Sequence, residues 1–259
     1  MRLALIQIKV DYGKPKSNLE RVIAQVREAA AESPDILVMP EMWNTGFELK
    51  SLADTADRAG IPGARTVGEL AGKYKVNIVG GSVADIRERN VYNTSYIYNR
   101  KGEEVASYSK VHLFGLMEEG GYLTPGSSRV EFTLDNIKCG IIICYDLRFP
   151  ELSRALALDG IKILFVPAQW PQPRMHAWRT LLQARAIENQ LFVVGVNCVG
   201  KEGTAEFFGH SMIVSPTGEV IAEGSAEEEI IYADIDVDEV DRTRKYMNCF
   251  SDRVPEVYR

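Results

Sequence analysis

Cys144 closes an apolar run, KCGIIIC (138–144), and the residues beyond it, LRFPELSRALALDG (147–160), carry helical periodicity that stops at Gly160. A thiol on a strand-to-helix turn has the geometry of a nucleophile presented at the end of a sheet. A helix N-terminus also favours negative charge, which predicts a larger thiolate fraction. From position alone, the commoner reading of such a cysteine is a small buried hydrophobe. Cys139 and Cys198 lie in apolar strands and Cys249 has no charged motif beside it, so these three read as structural.

A cysteine nucleophile needs a base, and histidine is the habitual one. The chain has His112, His176 and His210, with no Asn or Asp placed as orienter and no pair at zinc-ligand spacing. Glu41 offers a different base. It follows an apolar strand and Pro40, and Met39, Met42 and Trp43 flank it. A partly desolvated carboxylate there is suited to proton shuttling. Lys110 ends another strand and would supply positive charge to an oxyanion. Taken singly, each also reads as a solvated loop or strand-end residue.

These residues need elements to hold them. RLALIQI (2–8) reads as a strand, SNLERVIAQVREAAAE (17–32) as an amphipathic helix capped by Ser17 and Glu20, and DILVMP (35–40) as a buried strand. A helix over 66–75, a strand over 77–85 and two strands within 95–110 joined by an Arg-Lys-Gly turn follow. Beyond Cys144 come a strand over 163–169, a helix over 175–190, a strand over 191–197, a hairpin over 211–224 and a last strand over 229–237. Alternating strands and helices, with several hairpins, predict helices covering mixed sheets. Glu41, Lys110 and Cys144 all fall where a strand gives way to a loop, the usual place for active residues in such folds.

The 259 residues show no repeat, low-complexity stretch or composition break, so a single domain over 1–259 is expected. A formal net charge of −6 with no basic stripe argues against nucleic acid as partner. MRLALIQIKV reads as a strand rather than a signal peptide, and no apolar stretch is long enough to span a bilayer. The expectation is a cytoplasmic protein with reduced thiols and no membrane partner.

Three segments in order, PEMWNTGF (40–47), YSKVHLFG (108–115) and CYDLRFPEL (144–152), closely resemble the signature segments of the nitrilase superfamily of carbon–nitrogen hydrolases. ARAIENQ (184–190) and FFGHSMIVSPTGEV (207–220) extend the likeness, and PAQWPQPR (167–174) with WRTLLQARAIENQ (178–190) look most like the omega-amidase branch. The resemblance implies an α/β fold, a four-layer αββα sandwich with mixed sheets, often paired into a homodimer. It implies Cys144 as nucleophile, Glu41 as acid/base, Lys110 and the Tyr145 backbone N–H as oxyanion partners, and no metal or organic cofactor. A second glutamate is expected after the lysine, either Glu118 or Glu119, with spacing favouring Glu119. The implied substrate is a small-molecule amide, the terminal amide of a dicarboxylate monoamide such as 2-oxoglutaramate, cleaved to acid and ammonia through a thioester. Its free carboxylate would need a donor. Arg148, Arg174 and His112 are candidates, with Trp43, Trp170 and Tyr145 as walls, although Arg148 also reads as an ion-pair partner of Glu151 or Asp146. An N-carbamoyl amide hydrolase, a nitrilase, a silent scaffold of this fold and a thiol redox protein are the competing readings.

Overall fold

The computed structural model describes residues 1–258. The first half runs β1 (Arg2–Gln7), α1 (Pro15–Ala31), β2 (Ile36–Val38), α2 (Leu52–Thr55), β3 (Asp57–Arg58), α3 (Gly63–Tyr74), β4 (Asn77–Val79), β5 (Val83–Arg87), β6 (Asn90–Tyr98) and β7 (Glu104–Ser109). The second runs β8 (Glu131–Leu134), β9 (Ile137–Ile141), α4 (Pro150–Leu158), β10 (Ile163–Pro167), α5 (Met175–Asn189), β11 (Phe192–Val196), β12 (Val199–Glu202), β13 (Ala205–Phe208), β14 (Met212–Val214) and β15 (Val220–Glu223). Then β16 (Glu229–Asp234) returns to pair antiparallel with β1, and α6 (Glu239–Tyr246) follows.

The strands form an eight-stranded sheet in the order β16-β1-β2-β4-β6-β5-β3, with β7 also on β6, and a six-stranded sheet in the order β15-β14-β11-β10-β9-β8. Both are mixed, since β1, β2 and β4 are parallel neighbours, as are β9, β10 and β11, while hairpins supply antiparallel edges. Period-two burial explains the layers. Leu3 and Leu5 of β1 join Phe165 of β10 and Val193 of β11 in one core between the sheets, whereas Ala4 and Ile6 pack with Val22 and Val26 of α1 and Val67 of α3. On the far face α4 and α5 cover the second sheet through Leu156, Trp178 and Leu182. The result is the αββα order that the sequence implies.

Three local expectations change. The strand expected over 77–85 is two, β4 and β5, parted at Gly80–Ser82. Helix α1 starts at Pro15, so Ser17 lies inside it and caps nothing. Proline at the first position already holds the helical φ and lacks the N–H that would otherwise be orphaned. Asn18 then ties that first turn to the loop after Glu41, its Nδ2 donating to Asn44 O at 2.9 Å. The helix expected after Cys144 is also broken. A five-residue 3-10 turn, Cys144–Arg148, is separated from α4 by the extended residue Phe149. Pro150 is the cause, because the residue before a proline is driven out of the helical region. The short hairpin β12–β13, strand β8 and helix α6 had no distinct sequence signal.

No helix among the described residues is long and apolar enough to cross a membrane.

Candidate active site

Glu41 follows β2 and Lys110 follows β7, both in the first sheet; Cys144 follows β9 and Gln169 follows β10, both in the second. The facing of the two sheets therefore brings four strand ends together. The chain bends sharply after Glu41, where Met42 has φ 45°. The segment beyond β4 clasps that bend: Ser82 N donates to Pro40 O at 3.1 Å and Met42 N donates to Ser82 Oγ at 2.8 Å. Gly81 makes this approach possible, since a Cβ there would sit 2.0 Å from Pro40 O.

The Glu41 side chain is fully buried and fully bonded. Its Oε1 accepts from Asn93 Nδ2 at 2.8 Å and from Lys110 Nζ at 2.9 Å, and its Oε2 accepts from Gln169 N at 2.8 Å. Lys110 Nζ also donates to Glu119 Oε1 at 2.8 Å, so one buried ammonium stands between two carboxylates. Burial alone would lower the Lys110 pKa; the charges of Glu41 and Glu119 outweigh it and hold the ammonium well above its ordinary value. Burial pushes Glu119 above the usual carboxylate range, with Lys110 pulling it back and Glu41 adding to the rise. Glu119 also fastens its own loop, as Phe114 N donates to its Oε2 at 3.0 Å. Of the adjacent pair of glutamates, it is Glu119 that reaches Lys110; Glu118 is exposed in a left-handed turn.

Cys144 is 8% exposed and has φ 46°, a strained conformation for a residue with a side chain. Burial drives its thiol pKa well above normal, Glu41 and Glu119 reinforce the rise, and Lys110 opposes it. The expected enhancement of thiolate by a helix N-terminus is thus reversed: the 3-10 turn is too short to supply a strong dipole, and desolvation beside two carboxylates wins. Arg185 pins this turn from α5 by donating Nε and Nη2 to Leu147 O at 3.1 and 2.8 Å.

Cys144 opens into a small, tight pocket lined also by Phe47, Phe114, Met117, Glu119, Tyr145, Gln169, Trp170, Pro171, Arg148 and Arg174. Trp170 is held by Asn197, whose Oδ1 accepts from Trp170 N at 2.7 Å. Arg148 lies 5.0 Å over the Trp170 ring and Arg174 5.5 Å over Phe114. Arg148 makes no ion pair with Glu151 or Asp146, because Asp146 is engaged elsewhere; among the described residues neither guanidinium has a carboxylate partner. A larger surface cleft, lined by Arg65, Lys73, Tyr96 and Tyr98, is distant from this chemistry in its lining residues.

Two expected pocket residues lie elsewhere. Trp43 is fully buried against α1 and α3, its indole N–H donating to Gly80 O at 2.8 Å, because the bend at Met42 turns it into the core. His112 bonds Asp146 through Nδ1 at 2.8 Å and stacks on Phe149, with centroids 3.6 Å apart, so its ring is occupied outside the pocket. Asn93, Gln169 and Asp146 were not foreseen. An asparagine inside a strand, where that residue is disfavoured, was the available signal for Asn93.

Residues 2–245 match the family model described as carbon-nitrogen hydrolase. The chain belongs to the carbon–nitrogen hydrolase family. This family member is 42% identical over 256 residues to a 2-oxoglutaramate amidase of Bacillus subtilis (strain 168), covering 99% of this chain and 98% of the relative. It is 32% identical to an omega-amidase of Homo sapiens, over 99% of this chain and 96% of that one. An amidase from Nesterenkonia sp. AN1, solved as a Glu-to-Gln variant with the acetamide moiety of fluoroacetamide on its active-site cysteine, is 25% identical with a TM-score of 0.88, covering 100% of this chain and 95% of that one. As a carbon–nitrogen hydrolase, the chain is an enzyme of non-peptide C–N bonds.

Proposed function

We propose that this hydrolase cleaves the terminal amide of a small dicarboxylate monoamide, resembling 2-oxoglutaramate, with Cys144, Glu41 and Lys110 as its catalytic groups. The observation that carries the reading is the buried Glu41–Lys110–Glu119 array at a pocket that holds Cys144 and two carboxylate-free guanidiniums. In the Nesterenkonia amidase the active-site cysteine takes up an acetamide group covalently, which supports a covalent route here.

The cycle begins with proton transfer, because burial beside two carboxylates favours the protonated thiol. Glu41 takes the Cys144 proton as sulfur attacks the amide carbon. The Lys110 ammonium and the Tyr145 N–H, at the start of the turn where N–H groups lack intrahelical acceptors, take the oxyanion. As the tetrahedral intermediate collapses, Glu41 returns the proton to the leaving nitrogen, ammonia departs, and a thioester remains. Glu41 then draws a proton from water, whose oxygen attacks the thioester carbon; as the C–S bond breaks and the acid leaves, Glu41 returns that proton to the Cys144 sulfur. Glu119 holds Lys110 through a second carboxylate bond and supports this proton traffic electrostatically. No step calls for a metal or organic cofactor.

Ammonia release from 2-oxoglutaramate and succinamate, run beside a carbamoyl amino acid and a simple nitrile, tests the assignment. Release from the two omega-amides alone is expected. Carbon dioxide with ammonia from the carbamoyl compound would make the chain a carbamoyl hydrolase, and nitrile consumption a nitrilase.

Arg148 and Arg174 are proposed to receive the distal carboxylate. A charge-assisted contact contributes about 1.5–3 kcal/mol, or roughly 10- to 100-fold. Arg148→Ala and Arg174→Ala are expected to raise KM for omega-amides by about that factor while leaving a neutral amide unaffected, and equal effects on both substrates would remove the guanidiniums from specificity. Their rings matter too: Trp170 and Phe114 fix the cations without consuming their donors.

The same proposal takes the chain as one hydrolase domain, cytoplasmic and homodimeric. Exposed apolar side chains on and after the last helices, Ile187, Tyr246 and Tyr258, suit a subunit contact, while Phe250 docks on its own chain between Arg154 and Arg244.

A further inference from the structure

Asp146 is fully buried and accepts four hydrogen bonds from two different parts of the site. Its Oδ2 accepts from Tyr108 Oη at 2.7 Å and Ile143 N at 2.9 Å; its Oδ1 accepts from His112 N and His112 Nδ1, both at 2.8 Å. Tyr108 and His112 flank Lys110 at two residues on either side, while Ile143 immediately precedes Cys144. The His112 ring adds a second tie by stacking on Phe149, which ends the cysteine turn. Lys110 belongs to the first sheet and Cys144 to the second, so one carboxylate spans the sheet-to-sheet gap beside the reacting atoms.

We infer that Asp146 is a positioning residue that fixes Lys110 relative to Cys144, with His112 as its partner. The inference rests on the proposed roles of those two groups. A carboxylate is required at this point because two of the four donors are backbone N–H groups, one on each oxygen. An asparagine in either orientation would set its NH₂ against the N–H of His112 or of Ile143, leaving a buried donor unpaired. The penalty falls on geometry: the oxyanion forms between a lysine and a backbone N–H carried by segments that this carboxylate ties to one another, and displacement of about 1 Å costs about 10²-fold in rate.

The test uses the full chain. Asp146→Asn is expected to lower kcat for the omega-amide by about 10²-fold, with KM within about threefold, at a temperature where melting curves show the variant folded. His112→Ala should lose part of that rate, and His112→Asn, which keeps a donor near the Nδ1 position but not the stacking ring, should recover it. Alkylation of Cys144 by a small uncharged haloacetamide should slow in parallel with kcat. Wild-type kcat in folded Asp146→Asn, or a His112→Asn enzyme no better than His112→Ala, would overturn the inference. Should Asp146→Asn fail to fold, the His112 pair decides alone. A wild-type chain inactive on every amide would instead count against the proposed function.

Discussion

Cys144→Ser and Cys144→Ala enzymes should fold as wild type does and lose turnover by about 10⁴-fold or more. A serine hydroxyl is a far weaker acid than a thiol, so Glu41 would face a harder proton removal with a poorer nucleophile; alanine offers none. Stability should change little, since the Cys144 sulfur makes a long contact to Gln169 O at 4.0 Å, and either replacement keeps a Cβ in the same strained φ. The measurement pairs kcat with thermal melting and with the mass of the protein during turnover. Wild-type chains should carry the acyl group as a thioester and alanine chains should not. Normal turnover in either variant would end the cysteine assignment, and an acyl group on some other residue would relocate it.

Lys110→Met should damage both stability and rate. The ammonium separates two carboxylates at 2.9 and 2.8 Å, and all three side chains are essentially without solvent. Removing one member of a buried ion pair costs about 3–5 kcal/mol, because the charge left behind has neither water nor partner. Against a total of about 5–15 kcal/mol, that deficit is large. Its pH dependence has a definite sign. Glu119 already lies above the usual carboxylate range through burial, and loss of Lys110 removes the charge pulling it down. A carboxyl group whose folded pKa exceeds its unfolded value binds more protons when folded, so stability falls as pH rises through the interval between them. The deficit of Lys110→Met should therefore be smallest in mild acid and grow toward neutral pH. Denaturant titrations across that range measure it, and adding Glu119→Gln should return part of the stability without returning activity. A pH-independent deficit would mean the carboxylates are not the source. In catalysis, loss of an oxyanion partner is expected to cost about 10²–10³-fold in kcat.

Much of this architecture was legible in the chain. DILVMP and CGIII are apolar runs closed by Glu41 and Cys144, EVASYS is a mixed strand closed by Lys110, and the structure brings those three ends together. Less legible was anything that depends on which way a bend turns. Trp43 is a plausible pocket wall by proximity to Glu41, yet one positive-φ residue sends it into the core. His112 reads as a ligand contact until Asp146 and Phe149 are seen to occupy both its edge and its face. The sequence puts Cys144 at the head of a helix, whereas the structure starts that helix only at Pro150, beyond the 3-10 turn. Gln169 and Asn93 escaped notice because their work is done through amide groups whose partners lie about 50 to 130 residues away, with separations of 52 and 128 positions to Glu41.

The depressed acidity of Cys144 has a bearing outside the reaction itself. Peroxide and disulfide reagents consume thiolates, and their progress follows the fraction of sulfur already ionised and within reach. If Cys144 is the nucleophile proposed, storing it as a buried thiol leaves such reagents little to attack between turnovers. Slow inactivation of the resting enzyme by peroxide is the expected consequence, alongside a first step that depends on its carboxylate.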